Sequence, residues 1–434
     1  MGFLDDIKKR ILIHDGSKGY MLQRMGLKGG ESGEFWNLTN QDAVRAVHRA
    51  YLEAGSDVVQ TNTFPGNRLH LERFGLGDKT YEINYWGARL AREAAGSRAY
   101  VSASVGPTGS LMEPLGDLSF EKACEIYREQ VKALVDGGAD IINFETFTDL
   151  SELRAAYLAA RDVTDLPVIC SLAFENNGRT LMGTDPFIAV TVLKSLGADM
   201  VGVNCSFGPE HMTGIVESMY KAGGGYLSVK PNAGLPTVSG DTVTYHETPE
   251  HFADLAAAFV SYGARLIGGC CGTTPDFIRA LREKLSGMEP VPVPERTAAY
   301  ITSDVRYIDA RELENANIYR LDASNDNAVY QALKNNDLSW VEETALDLAD
   351  EGYDAILVTI DSAGGGPGLL ADVADRLQWY VKAPFIFDTC DAAALERALR
   401  VCRGTAGVVI NNGSAAEIGK IAEKYGSVII SRRI

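Results

Sequence analysis

The feature that most restricts the fold of this chain is an alternation that recurs eight times in its first two thirds. A short apolar run ends in polar or glycine-rich residues, and a stretch with helical spacing of apolar residues follows. The runs occupy 11–16, 58–64, 100–106, 141–146, 167–174, 200–206, 226–234 and 266–272. Helical spacing is clear in 42–54, 120–135, 186–196 and 249–262. Gly55, Gly137-Gly138, Gly197 and Gly263 close such stretches, where a helix C-terminus favours a residue with positive φ. Eight strand–helix units in about 285 residues are what a (β/α)8, or TIM, barrel requires. The fold class is α/β.

In such barrels chemistry gathers at the carboxyl ends of the strands. Asp15, Gln60 to Thr63, Glu145-Thr146, Asn204-Cys205, Asn232 and Cys270-Cys271 all stand at those ends. The vicinal cysteines lie in Gly268-Gly269-Cys270-Cys271-Gly272-Thr273-Thr274. Neighbours on a strand point to opposite faces, so both can serve one site only where the strand ends and glycines let the backbone twist. A lone pair of this kind reads first as two buried thiols or a strained disulfide. Cys205 at the end of a second strand reverses that preference, because even-numbered strands feed the same layers of a barrel. Cys205, Cys270 and Cys271 become candidate ligands of a soft cation, Zn2+ being the usual one.

With 434 residues the chain exceeds one ordinary core, and two domains are expected. The Pro-rich 287–297 reads as a linker between a barrel over 1–286 and a smaller α/β domain over 298–434. In the second domain strands are expected at 318–322, 355–360, 385–389, 408–411 and 428–430, with helices between them. That is about half the units of a barrel. The Gly-rich 362–368 lacks a P-loop lysine and reads as a loop. The net charge of −17 excludes a basic nucleic-acid or anionic-membrane surface. The charged N-terminus and the lack of a long apolar run give no signal peptide or membrane span. Seven dispersed cysteines suit a reducing cytoplasm rather than a disulfide framework.

Three thiolates with no evident fourth protein ligand leave one position for water or substrate. Such an electron-rich ion activates water for hydrolysis poorly. It suits binding a substrate thiol as a thiolate, and hence alkyl transfer to sulfur. If that thiol is an amino acid, Glu145 and Asp15 can hold its ammonium. The turn beginning Gly16-Ser17-Lys18-Gly19 can offer N–H groups to its carboxylate. Either acid can equally cap a helix.

Asp15-Gly16, Gln60-Thr61-Asn62-Thr63-Phe64, Glu145-Thr146, Asn204-Cys205-Ser206, Lys230-Pro231-Asn232-Ala233-Gly234-Leu235-Pro236 and the Gly-Gly-Cys-Cys-Gly run together resemble the homocysteine S-methyltransferases. The resemblance is closest to the homocysteine-binding module of cobalamin-dependent methionine synthases. It implies zinc on Cys205, Cys270 and Cys271, with homocysteine sulfur as fourth ligand, and substrate contacts from Asp15, Gly16, Glu145, Thr146 and Asn204. One departure is the first turn, Ser17-Lys18-Gly19-Tyr20, where the family has small residues and threonine. The C-terminal part resembles half of the pterin-binding barrel of the same enzymes, with Asp388 and Asn411 at pterin-contacting positions. Its Gly-Glu-Arg-x-Asn motif is missing, as is a cobalamin module's Asp-x-His-x-x-Gly. The expected activity is methylation of homocysteine to methionine, the donor being a methylcobalamin protein or methyltetrahydrofolate. S-methylmethionine or a betaine as donor, another thiol as acceptor, and a non-catalytic zinc-stabilised scaffold for a corrinoid or folate partner are the alternatives. The half-barrel, with unpaired sheet edges, is expected to mediate self-association.

Overall fold

The computed structural model describes residues 2–235, 237–239, 242–294, 296, 298–323, 328–335, 337–364, 366–410 and 415–431. The chain divides into two compact units, Met1–Met182 with Ala198–Glu295, and Gly183–Gly197 with Arg296–Ile434. The helix Pro186–Ser195, which precedes the sixth barrel strand, therefore groups with the second unit. No helix among the described residues is long and apolar enough to cross a membrane.

The first unit is the eight-stranded parallel barrel that the alternation predicts. Its strands are β1 (Leu12–Ile13), β2 (Val58–Gln60), β3 (Tyr100–Val105), β4 (Ile141–Phe147), β5 (Val168–Leu172), β6 (Met200–Cys205) and β7 (Leu227–Pro231). A hairpin, β8 (Thr237–Ser239) with β9 (Thr242–Thr244), precedes the eighth barrel strand, β10 (Ala264–Ile267). Strands β2 to β7 pair in sequence, β7 pairs with β10 and β10 with β1. A single parallel bridge, His14↔Val58, closes the ring. The strand bases are apolar: Leu12, Val58, Ile141, Ile169, Met200 and Leu266 pack against Phe3 and Ile7 of helix α1 (Phe3–Lys9), which plugs the bottom.

Above that plug the barrel interior turns polar. Alternation along each strand carries the inward positions from Ile141 to Asn143 and Glu145, from Ile169 to Ser171, and from Met200 to Gly202 and Asn204. Ser102, Ser104, Asn143, Ser171, Asn204, Ser228 and Lys230 are all buried there. At Gly202 a Cβ would meet the Ser228 carbonyl at 2.2 Å, so only glycine fits. This polar column replaces the branched apolar layers usual in such barrels and leads up to the site.

Three details differ from the sequence expectation. β10 ends at Ile267, so Cys270 and Cys271 lie in the loop beyond it rather than on the strand. The helix expected over 249–262 stops at Ala256 and tightens into a 3-10 turn, Ala257–Tyr262, closed by Gly263 at φ 74°. The β8–β9 hairpin was not anticipated.

The second unit carries a five-stranded parallel sheet in sequential order: β13 (Ile318–Asp322), β14 (Ala355–Thr359), β15 (Phe385–Phe387), β16 (Gly407–Val409) and β17 (Val428–Ile430). Ahead of it lies an unanticipated antiparallel pair, β11 (Tyr300–Thr302) and β12 (Tyr307–Asp309). Ile301, Leu357, Ile386, Val409 and Ile430 share one core.

Candidate metal and substrate site

Cys205 closes β6 with φ 64°, followed by Ser206 at φ 32°, and Thr146 near the end of β4 also adopts φ 64°. Non-glycine residues rarely take this conformation, and a β-branched one needs outside support. Asn204 supplies it. Its Oδ1 accepts from Thr146 N at 2.7 Å and its Nδ2 donates to Thr146 Oγ1 at 2.7 Å, so one amide clamps the ends of β4 and β6 together. The same Nδ2 lies 3.7 Å from Cys270 Sγ.

The loop after β10 is pinned with equal care. Cys270 N donates to Pro231 O at 2.7 Å, Cys271 N to Asn232 Oδ1 at 3.1 Å, and Thr273 Oγ1 to Cys270 O at 2.6 Å. Gly272, at φ 78°, lies flat against Tyr245, whose ring would stand 2.3 Å from a Cβ there. As a result the three sulfurs lie within 4.8 Å of one another, with Cys205 Sγ 3.7 Å from Cys271 Sγ. A tetrahedral zinc with bonds of about 2.3 Å sets its sulfurs about 3.8 Å apart, so the donor set and its spacing fit that ion. No other such cluster of metal-ligating side chains occurs among the described residues. Without a cation the three thiols cannot ionise together. Hydrogen bonds from Cys205 and Cys270 pull Cys271 down to about 3, while donating those bonds, together with burial, pushes Cys205 up. None of the seven cysteines forms a disulfide.

Beside the thiols opens a cavity of about 360 Å³. Lys18, Gln60, Glu145 and Thr146 line it with the cysteines, and Leu27, Phe64 and Phe74 add an apolar wall. Glu145 is 3% exposed, its carboxylate held by Ser104 Oγ and by the ammonium of Lys230, itself 1% exposed. Lys230 also donates to Gln60 Oε1 at 3.0 Å. Burial would depress the Lys230 ammonium, but the charges of Glu145 and Cys270 outweigh it and raise its pKa.

Asp15 is fully buried and does not reach the cavity wall. It accepts from the Lys18 ammonium, from Gln60 N at 2.9 Å, and pairs with His14 Nδ1 at 3.1 Å. Burial works against its charge, yet Lys18 and His14 hold its pKa at about 2. Burial and the nearby Lys230 lower His14, keeping its ring neutral. Gly16 is pressed against Thr273 Oγ1, 2.7 Å from where a Cβ would stand. The carbonyls of Ser17 and Thr273 are joined by the Tyr51 hydroxyl, at 3.0 and 2.9 Å, which ties the first turn to the cysteine loop.

Cys205, Cys270, Cys271, Glu145 and Thr146 thus line one cavity, with Asn204 clamping them and Asp15 and Gly16 one layer behind. Sequence reasoning assigned no role to the side chains of Lys18 or Lys230, giving the turn that holds Lys18 only backbone N–H groups for the carboxylate. A lysine inside the apolar run of β7 was the available signal, since a buried lysine demands a carboxylate. In the second unit, Asp388 is half-buried just past β15, and a cavity of about 410 Å³ is lined instead by Asp361, Gly364, Cys390 and Asp391. Asn411 lies outside the described residues.

Residues 12–285 match the family model described as homocysteine S-methyltransferase. The chain belongs to that family. It is 31% identical over 420 residues to methionine synthase of Mycobacterium tuberculosis, covering 91% of this chain and 35% of that protein. It is 30% identical over 424 residues to the Mycobacterium leprae methionine synthase, with the same coverage. The chain therefore spans about a third of the length of these relatives. The family relationship extends to structure: the metallated form of the homocysteine methyltransferase MmuM from Escherichia coli superposes with a TM-score of 0.56 at 25% identity, covering 64% of this chain and 97% of that one.

Proposed function

We propose that this homocysteine S-methyltransferase family member methylates homocysteine to methionine at the cavity beside Cys205, Cys270 and Cys271. The convergence of three thiols with one buried carboxylate, Glu145, carries the reading. Zinc held by the three cysteines would lower the pKa of a substrate thiol and keep it nucleophilic at neutral pH. Glu145, fixed by Lys230 and Ser104, receives the substrate ammonium. Thr146, clamped by Asn204, shapes the wall beside the sulfur. The substrate sulfur forms a bond to the methyl carbon while the carbon's bond to the donor breaks, and the donor leaves with that electron pair.

A methylcobalamin protein, separate from this chain, is our first choice of donor, and methyltetrahydrofolate the second. The exposed Leu111 and Leu115, in the loop after β3, and Leu235, after β7, favour a protein donor, since they stand at the end of the barrel that carries the thiols. S-methylmethionine and betaines are alternatives. In the second unit we propose a folate-related module, with Asp388 and Asn411 as pterin contacts and the outer strands β13 and β17 as sites of self-association. A reducing cytoplasm is the compartment such thiols require. The test is methionine formation by the zinc-loaded chain with homocysteine and methylcobalamin, methyltetrahydrofolate or S-methylmethionine in parallel. Methionine from one donor, lost in Cys271→Ala, is the expected result. Formation that survives in Cys271→Ala would overturn the site.

A further inference from the structure

We infer that Lys18 is the group that receives the substrate's carboxylate, with Asp15 behind it as its positioning residue. This rests on the homocysteine reading above and assigns the amino acid's second charge. An amino acid held by its sulfur at the cysteines presents an ammonium and a carboxylate to the remaining wall. Glu145 suits the first. Among the described residues lining the cavity, Lys18 is the one lysine or arginine, and although burial lowers its pKa, the Asp15 carboxylate beside it opposes that shift and favours the ammonium. His70, also on the wall, is held neutral by burial and by the nearby Arg73.

Lys18 is built for that task. Its side chain is 6% exposed, and its ammonium lies 4.5 Å from the centre of the Tyr51 ring while donating to Asp15 Oδ2. An ammonium has three donors, and Asp15 is its one hydrogen-bond acceptor among the described residues, which leaves donors for a ligand. Asp15 cannot take the ammonium role itself, because it stands behind the wall with Lys18, His14 and Gln60 N on its oxygens. The Tyr51 hydroxyl fixes the distance from Lys18 to the thiols by joining Ser17 to Thr273. Lys18 thereby reads the carboxylate, and thiols without one lose their third anchor.

Calorimetric titration of the zinc-loaded chain with L-homocysteine and with 3-aminopropane-1-thiol, which lacks only the carboxylate, tests this. The unaltered protein should prefer homocysteine by roughly 10–100-fold, the range of a charge-assisted hydrogen bond. Lys18→Met should bind both thiols alike, its affinity for the aminothiol staying within about threefold of the unaltered protein. Because that variant strands a buried Asp15, Asp15→Asn/Lys18→Met, which removes both charges, is measured beside it with the same expectation. A variant that retains the preference, or one that weakens both thiols equally, overturns the inference. An unaltered protein that binds neither thiol overturns the homocysteine reading and this inference with it.

Discussion

Lys230→Met isolates the buried ion pair on which Glu145, the carboxylate proposed to hold the substrate ammonium, depends. Both side chains are nearly sealed, Lys230 at 1% and Glu145 at 4% exposure. Solvent therefore screens little of their interaction. Removing the cation leaves a buried carboxylate with Ser104 alone, and breaking a buried pair in this way costs about 3–5 kcal/mol. For a unit of this size about 2 °C of Tm is lost per kcal/mol, so the midpoint of the barrel's transition should fall by about 6–10 °C. The assay is thermal unfolding followed by near-ultraviolet circular dichroism on zinc-loaded protein. Glu145→Gln/Lys230→Met removes both charges and should recover most of that loss, though not homocysteine binding. A shift under about 2 °C for Lys230→Met, or a double variant no more stable than the single one, would refute the claim that an uncompensated charge is the cause.

Acid should unfold the barrel in two stages. His48 is fully buried, and burial, helped by Lys18, depresses its pKa to about 3, so the unfolded chain binds a proton first and stability falls as pH drops from about 6.5 towards 3. Asp15, at about 2 in the folded state, contributes stability above its unfolded pKa near 4 that is lost between about pH 4 and 2. His48→Leu should reduce the first stage, the remainder coming from His14, which burial also lowers, and leave the second, as read by urea midpoints across pH. Gly272→Ala forces a side chain at φ 78° against the Tyr245 ring. It should weaken zinc retention in competition with a chelator by at least tenfold and lower the barrel's Tm by about 2–6 °C.

Much of the barrel was legible because its outer faces must be apolar along every strand while the chemistry gathers at the strand ends. That pairing made 200–206 and 141–146 readable both as strands and as site segments. The end of β10 was misread because Gly268 and Gly269 continue the small, uncharged character of the strand. There Gly268 packs on His14 and Gly269 on Thr273, and the chain leaves the sheet early. The β8–β9 hairpin did leave a trace: Gly240-Asp241 between two Thr-Val runs is a hairpin signal. The Glu145–Lys230 pair left only half a trace, the lysine inside the apolar run of β7, because its members are 85 residues apart and only closure of the ring brings them together. The first turn could be recognised as divergent at Lys18, but its placement on the cavity wall depends on Asp15 and Tyr51, which no local pattern encodes.

If the three cysteines hold a metal as proposed, its open position takes the substrate's sulfur. X-ray absorption at the zinc edge, before and after homocysteine is added, addresses it most directly. Three sulfur scatterers at about 2.3 Å are expected without homocysteine and four with it. Three sulfurs in both states, with homocysteine bound elsewhere, would contradict that expectation.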